Sequence, residues 1–433
     1  MSDVSDKLDE EIKKLSLNKL KISVTDPMTE GGWGRRYTTF LIRTEKFSVR
    51  RRYSDFVWLR AQLEGTYVGL CIPPLPSKNM NMFSNNSKEF VELRRVGLQL
   101  FLDAVSENSF LANSSTLNDF LSIQKGSTWD ARKKESNVKE CESEVLWRRS
   151  ILKTSIPEED EITGTLSDVS RQLSEIETVL KQALSSRSKA HASSKESVAA
   201  EKELIDALKA FHVVERTCGD AKKVEYVDKS FTKTYARVQE DTIEVLEKSI
   251  QLSEFECKIE ELIMLETMKF YLADISNTKK LIDERRFSKE ELERAERALK
   301  QSRVTLKRLE TAASKNTDKI SKAAKKAQEC EDKRNQCEMR FRIITTSLMS
   351  GEFGRMNQRK ITTIQSLIAM SSISTLSLSK QRSEFWHEFL VSVSSCIGTK
   401  QEKLLRRRRS SSEKVAAMTK KKDEAAVINN DDI

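Results

Sequence analysis

The sequences VRRRYSDF, residues 49–56, and IPPLPSK, residues 72–78, decide how the N-terminal part of this chain is interpreted. They bring cations, an aromatic ring and a rigid turn close together. The planar guanidinium group of arginine can donate two parallel hydrogen bonds to a phosphate, and lysine adds a compact point charge. Prolines hold the backbone near polyproline II, so the side chain that follows them leaves the turn in a defined direction. The two stretches predict an anion site, although consecutive arginines on a strand are also typical of a solvated surface.

The residues around these stretches predict a small sheet. Alternating apolar and polar residues indicate three strands, at 20–24, 36–43 and 47–53. Thr25, Asp26 and Pro27 are expected to end the first strand, and the sequence GGWG at 31–34 is expected to form the turn before the second. No Lys-Ser/Thr pair follows GGWG, which argues against a nucleotide-binding loop.

Helices are expected to cover this sheet. Ser54 and Asp55 can cap a first helix, and a second is expected to start at Asn86 with Glu89 completing a capping box. A third helical stretch is expected over 111–123. The apolar side of the first helix is predicted to consist of Phe56, Val57, Leu59 and Leu63. These elements together predict a compact α+β domain.

This arrangement resembles the phox-homology (PX) domain: an R-R-Y-S-D-F signature after a short antiparallel sheet, a P-P-x-P loop ending in a basic residue, and a helix with another arginine in FVELRRVGLQLFL. The resemblance covers about residues 18 to 124 and implies phosphoinositide binding, most often phosphatidylinositol 3-phosphate. By this resemblance Arg52 would contact the 3-phosphate and Tyr53 would stack under the inositol ring. Lys78 would contact the 1-phosphate, and Arg94 would bond the ring hydroxyls.

The loop after the prolines carries apolar side chains among asparagines. Met82 and Phe83 are expected either to pack back onto the domain or, as the corresponding loop does in the PX family, to enter the lipid interface once the headgroup is bound. They are candidate membrane contacts.

Composition limits the rest of the chain. Its 433 residues carry a net charge of +10 with a pI near 9.1, which fits an anionic partner such as a membrane, a nucleic acid or an acidic protein. Seven scattered cysteines without a C-x-x-C pair favour reduced thiols over disulfides or zinc ligands. We expect no apolar run long enough to span a bilayer, and the acidic start is unlike a signal peptide, so a cytoplasmic, peripheral protein is predicted.

The C-terminal part lacks proline after Pro157 and repeats apolar residues at steps of three and four. This pattern predicts long amphipathic helices at about 163–215, 219–312 and 316–398. Three such helices after a PX domain resemble the BAR domain, which dimerises and places a concave face on curved anionic membrane. The whole of residues 18 to 398 resembles a sorting nexin of the SNX-BAR group.

Charge in these helices suggests where a membrane would be contacted. A basic stretch between Arg285 and Arg342 spans the expected turn between the second and third helices, which would be the distal tip of the dimer. Its candidates for membrane contact are Lys322, Lys325 and Lys326. Such a run of charge is also typical of a solvated surface.

The expected organisation is therefore an α+β PX domain with a three-stranded antiparallel sheet, followed by an all-α elongated three-helix coiled coil of BAR type. The predicted segments are a mobile N-terminus (1–17), the PX domain (18–124), a connector (125–162), the helical dimerisation domain (163–398) and a basic disordered tail (399–433). In the connector, residues 137–151 form a basic amphipathic segment that would lie on a membrane or dock on the neighbouring domain.

The sequence offers no metal-spaced cluster, no catalytic constellation and no cofactor motif, so we expect a protein that is not an enzyme. The leading interpretation is a peripheral adaptor that binds phosphatidylinositol 3-phosphate on endosomes and senses or induces curvature in protein transport. Its expected partners are anionic membrane, a second copy of this chain or another BAR-type sorting nexin, and a retromer-like cargo complex. Nucleic acid is not expected to be a partner. The alternative is a coiled-coil tethering scaffold whose PX domain binds protein or another phosphoinositide.

Overall fold

The computed structural model describes residues 20–30, 37–77, 88–135, 142–155, 157–220, 229–311 and 317–397. Three predicted site residues, Lys78, Met82 and Phe83, lie outside the described residues, as do the predicted N-terminal segment and the basic tail. The chain divides into two compact units. The first comprises Met1–Ser188 and Glu261–Ile368, and the second comprises Lys189–Glu260 and Ala369–Ile433.

The sheet has three antiparallel strands in the order β1-β2-β3: Ser23–Glu30, Tyr37–Arg43 and Ser48–Arg52. The prediction that Thr25, Asp26 and Pro27 end the first strand is wrong. β1 continues through an irregularity between Thr25 and Met28, where Asp26 adopts a positive φ of 45°. An edge strand can accommodate a proline at such a bulge, because the missing N–H faces away from the neighbouring strand.

Helices then cover one face of the sheet. They are α1 (Tyr53–Thr66), α2 (Lys88–Ser106), α3 (Ser109–Ala112) and α4 (Ser115–Ser122). Asp55 helps to cap α1 as predicted, from the third residue of the helix, where its side chain accepts a hydrogen bond from the backbone N–H of Arg52 at 2.9 Å. Of the four side chains predicted on the apolar side of α1, three are buried, whereas Val57 is exposed. The third predicted helical stretch is split into α3 and α4.

Two further helices follow, α5 (Gly126–Lys134) and α6 (Glu142–Lys153). Both belong to the same core as the sheet, because Trp129 of α5 and Trp147 of α6 are buried within it. The ring of Trp147 lies 5.2 Å from that of Phe110. Of the two alternatives for the amphipathic segment, the structure therefore has its described part docked on the neighbouring domain.

Long helices form the rest of the chain. They are α7 (Glu159–Asp220), α8 (Lys229–Ile259), α9 (Glu266–Thr311), α10 (Thr317–Ser347) and α11 (Phe353–Ile397). Single π-helical turns, Glu260–Leu265 and Leu348–Glu352, join α8 to α9 and α10 to α11. The predicted apolar stripe of the first long helix is confirmed in part, since Leu166 and Leu173 are buried against other helices of the first unit.

Within the first unit, the turn after α1 packs on the end of α10 and on the π turn that follows it. Gly69, at a φ of +91°, approaches so closely that an added Cβ would lie 3.2 Å from the Cα of Ile344. Its carbonyl accepts a hydrogen bond from Ser347 Oγ at 2.6 Å, and the N–H of Cys71 donates to the buried carboxylate of Glu352 at 3.3 Å. Burial raises the pKa of the Cys71 thiol to about 12. The turn is thus fixed to the long helices.

The second unit has its own apolar cluster, built from Val198, Ile205, Ile250 and Cys257. Many apolar side chains on its helices remain exposed in the single chain, among them Leu204, Phe211, Val213, Val214, Ile373 and Leu376. Exposed apolar groups at this density are typical of a surface that another molecule covers.

By length and composition, one helix in the described part of the chain, Asp318–Val393, is apolar enough to cross a membrane. An 18-residue window of it has a mean hydropathy of 1.3, and 6% of that window is buried. The expectation that no stretch reaches this length is wrong by that measure. The uncharged residues 361–379 contain serines and threonines between the apolar positions, so they do not stand out as a continuous apolar run.

Candidate functional site

The three consecutive arginines of β3 have different surroundings. Arg50 pairs with Asp26 in the irregular part of β1 and also donates to the Asp26 carbonyl at 3.1 Å. Arg51 is buried, and Arg52 is exposed. Because side chains alternate along a strand, Arg51 lies on the face opposite to its two neighbours.

Arg51 is a structural residue. Its guanidinium group donates to the carbonyls of Phe120 at 2.9 Å and Ile123 at 2.6 Å, and it lies 4.1 Å from the centre of the Trp129 ring. Burial lowers the pKa of Arg51 to about 10, and the charge of Asp55 offsets part of that effect. Its donors are used within the domain, so Arg51 is not a candidate ligand-binding residue.

Arg52 is the member of the group that faces solvent. It ends β3 and precedes α1, and its side chain is 48% exposed. Its Nε atom lies 3.9 Å from Asp55 Oδ1, and its guanidinium carbon lies 5.9 Å from the ring centre of Tyr37. An exposed guanidinium group with only a loose ion pair retains donors for an incoming phosphate.

Tyr53 and Arg94 form the second part of the site. The guanidinium carbon of Arg94, on α2, lies 4.7 Å from the ring centre of Tyr53 and 4.2 Å from that of Phe90. Burial lowers the pKa of Arg94 and raises the pKa of Tyr53. The predicted residues Arg52, Tyr53 and Arg94 are therefore brought to one end of the sheet, next to the start of α1.

The proline-rich loop is fixed beside this pair. Tyr53 donates its hydroxyl hydrogen to the carbonyl of Pro76 at 2.6 Å. Gly97 of α2 makes room for the same proline, since a Cβ there would lie 2.6 Å from Pro76 Cβ. Arg60 donates to the carbonyl of Pro73 at 3.0 Å. The loop is thus anchored two residues before Lys78, which itself lies outside the described residues.

The remaining predicted contacts lie on α10. Lys322, Lys325 and Lys326 are all exposed, and within the part of the chain that the structure describes none of them forms an ion pair. Arg285, which bounds the basic stretch, is not a surface cation. It is buried, bonds Glu159 at 2.7 Å and donates to Thr345 Oγ1 at 3.0 Å.

Sequence reasoning missed two residues near Arg52. Tyr37 precedes the rest of β2, and Lys133 belongs to α5, which was predicted to lie beyond the domain. Lys133 Nζ lies 2.8 Å from Asp55 Oδ1. Register along β2 could have indicated Tyr37, because Thr39 pairs with Arg52 in the sheet. Nothing in the local pattern indicated Lys133.

Comparisons with known proteins agree with this architecture. A family model for the PX domain matches residues 41–124, and a model described as Vps5 C terminal like matches residues 150–392. Sorting nexin 1 from Arabidopsis thaliana is 38% identical over 112 residues, which is 24% of this chain and 28% of that protein. Sorting nexin-10 from Homo sapiens is 36% identical over 126 residues, which is 29% of this chain and 62% of that protein. The aligned residues thus span less than two thirds of these relatives.

A solved structure shares the fold over most of the chain. "The cryo-EM structure of the SNX-BAR Mvp1 tetramer" covers 85% of this chain and 99% of its own, with a TM-score of 0.58 and 14% identity. The predicted fold class, a three-stranded antiparallel PX sheet with helices followed by a BAR-type helical region, is confirmed.

A PX domain followed by helices of this type defines the class of PX-BAR proteins. The Vps5 model spans more than half of the chain, so the chain belongs to the Vps5 family of SNX-BAR sorting nexins. This family consists of non-enzymatic adaptors and scaffolds, and sorting nexins are peripheral membrane proteins of the endomembrane system.

Proposed function

We propose that this chain is a peripheral membrane adaptor that binds phosphatidylinositol 3-phosphate on endosomes through Arg52, Tyr53 and Arg94. The observation that carries the proposal is the arrangement at the end of β3, where Arg51 is used within the core while Arg52 faces solvent. Next to Arg52, the Tyr53 ring lies against Arg94 and fixes the proline-rich loop. One exposed guanidinium group beside an anchored aromatic ring suits a phosphorylated ring headgroup.

The helical part is proposed to dimerise and to sense or induce membrane curvature during endosomal sorting. Support comes from the exposed apolar side chains of the second unit, which a single chain leaves in water. The partner would be a second copy or another BAR-type sorting nexin, and a retromer-like cargo complex would be recruited to the membrane-bound dimer. The basic side chains Lys322, Lys325 and Lys326 would contact anionic lipid, as Met82 and Phe83 would from the loop that follows Lys78.

One experiment tests both parts. The full chain is sedimented with vesicles that carry each phosphoinositide in turn, and the bound vesicles are then imaged by electron microscopy. Selective binding to phosphatidylinositol 3-phosphate together with tubules supports the proposal. Selective binding without any change in vesicle shape would favour a tethering scaffold. Equal binding to all phosphoinositides would contradict the headgroup assignment.

A further inference from the structure

Helix α5 is built into the PX core. Its Trp129 is 4% exposed and lies at 5.0 Å from the ring of Trp58 and 5.9 Å from that of Phe120. Arg132 adds an ion pair of 2.7 Å with Asp119 of α4. Because these contacts fix α5 on two sides, the position of its last turn is determined by the domain.

That last turn brings Lys133 to the carboxylate behind the headgroup site. Lys133 Nζ lies 2.8 Å from Asp55 Oδ1, the same oxygen that lies 3.9 Å from Arg52 Nε. The other oxygen, Oδ2, accepts the backbone N–H of Arg52 at 2.9 Å. The Asp55 side chain is 6% exposed, so water screens this carboxylate poorly and its charge needs a cation nearby.

Two cations therefore contact this buried carboxylate directly, and the charge of the buried Arg51 acts on it as well. Lys133 holds the short contact, which leaves Arg52 with the long one and an outward guanidinium group. The donors of Arg51 are held by the carbonyls of Phe120 and Ile123, so without the charge of Lys133 the exposed Arg52 would be the cation able to move closer to Asp55 Oδ1. A close, well-aligned Arg–carboxylate pair would then compete with phosphate for the same donors.

Asp130 interacts with the same two cations, Lys133 and Arg52. Lys133 Nζ lies 3.0 Å from Asp130 Oδ1, and Asp130 is exposed. The pKa of the Asp130 carboxyl is lowered by its hydrogen bond to Lys133 and by the charge of that ammonium group, with smaller effects of Arg52 and Lys134. Lys134 is exposed one residue further on.

We propose that α5 is part of the headgroup site and that Lys133 is a positioning residue, which neutralises Asp55 and so keeps Arg52 free to bind the phosphate of a phosphoinositide. This inference rests on the proposed function, because the bound anion is the lipid phosphate assigned there to Arg52. It extends the site beyond residue 124, to a helix that neither the sequence pattern nor the PX family model includes.

The test measures affinity of the full chain for phosphatidylcholine vesicles that contain a few per cent phosphatidylinositol 3-phosphate. We expect Lys133→Met to weaken binding about tenfold, which corresponds to the loss of one good charge-assisted contact. Lys133→Arg should retain binding. Lys134→Met removes the same charge one residue away without touching Asp55, and Lys46→Met removes it from the turn at the opposite end of β3. Both should stay within about threefold of the unsubstituted chain.

A double variant separates positioning from folding. Asp55→Asn keeps an oxygen that can accept the Arg52 N–H but removes the charge that would draw in Arg52. Combined with Lys133→Met, it should restore affinity to within about threefold. A Lys133→Met variant that binds like Lys134→Met overturns the inference, as does a double variant that stays weak. If the unsubstituted chain and Arg52→Ala bind alike, the proposed function itself fails. If those two differ while Lys133→Met binds normally, only the role of Lys133 fails.

Discussion

At the scale of single residues, the alternation of side chains along β3 separates three chemically identical arginines. Arg50 is paired at the edge of the sheet, Arg51 is enclosed by backbone carbonyls and an aromatic ring, and Arg52 faces solvent. A lysine at the middle position would lack the fork of donors that reaches two carbonyls at once. The structure therefore assigns Arg51 to the fold, and the proposed function assigns Arg52 to binding.

The first prediction follows from this separation. Arg52→Ala should lower affinity for phosphatidylinositol 3-phosphate vesicles by at least about tenfold and leave the melting temperature nearly unchanged, since an exposed side chain with a loose ion pair contributes little stability. Arg51→Ala should instead destabilise the fold. We expect it to lower the free energy of unfolding by on the order of 3 kcal/mol, because two buried carbonyls lose a charged donor. Vesicle sedimentation and thermal melts measure the two effects. Unchanged vesicle selectivity in Arg52→Ala would refute the site.

The motif was sufficient to predict Arg52, Tyr53 and Arg94 as site candidates, and the structure brings these three together. It could not predict that Arg50 is paired, because its partner Asp26 lies in a bulge that the local sequence presents as a strand end. Lys133 was also out of reach. Its contact with Asp55 joins residues 78 positions apart, and no short-range pattern encodes that separation.

At the scale of elements, the packing of α5 and of the turn at Gly69 could not be predicted from the sequence. GSTWDARKK has one large apolar residue, its tryptophan, so periodicity gives no amphipathic face, and the glycine and serine at its start are typical of a linker. A single buried ring suffices to dock the helix. The domain limit at residue 124 stays a prediction. A fragment that ends at residue 125 would lack Trp129, which belongs to the same core as the sheet.

The second prediction concerns the attachment of the turn to the long helices within the first unit. Gly69→Ala should loosen it, because alanine at positive φ costs about 1–2 kcal/mol and its methyl group would crowd Ile344 and Ser347. Hydrogen exchange should become faster at residues 69–72 and 343–348. Gly65→Ala is the matched control, since nothing lies within 4 Å of a Cβ there. Equal exchange in both variants would show that the turn is not a point of attachment.

The third prediction concerns two aromatic residues of α11. The ring centres of Trp386 and Phe389 lie 5.8 Å apart, and both side chains are only partly buried in the single chain. If a partner covers this surface, Trp386→Ala or Phe389→Ala should weaken dimerisation by at least about 30-fold, as expected for an interface hot spot. Analytical ultracentrifugation measures the mass. Lys380→Ala, at a side chain that is 77% exposed on the same helix, should leave it unchanged. Lower thermal stability with an unaltered dimer mass would instead indicate packing within one chain.

At the scale of the whole molecule, specificity and strength of membrane binding are expected to come from different surfaces. A headgroup site selects one lipid but supplies modest affinity, whereas exposed cations attract any anionic leaflet. Each cation close to such a surface contributes on the order of 1 kcal/mol. Joined in one chain, and doubled in the proposed dimer, the two kinds of contact would act through effective concentration, so we expect their contributions to multiply in the binding constant.

The last prediction separates these contributions with charge reversals on α10. Lys322→Glu, Lys325→Glu and Lys326→Glu together should remove the preference for small vesicles and most of the salt dependence, because screened surface charges supply both. Selectivity among phosphoinositides should survive, since the proposed function assigns it to Arg52. The corresponding triple glutamine variant changes the charge by half as much at the same positions and should give an intermediate loss. Vesicle sedimentation over a range of diameters and salt concentrations measures both properties. If the glutamate variant keeps the small-vesicle preference of the unsubstituted chain, α10 does not read curvature, and tethering would explain the long helices better.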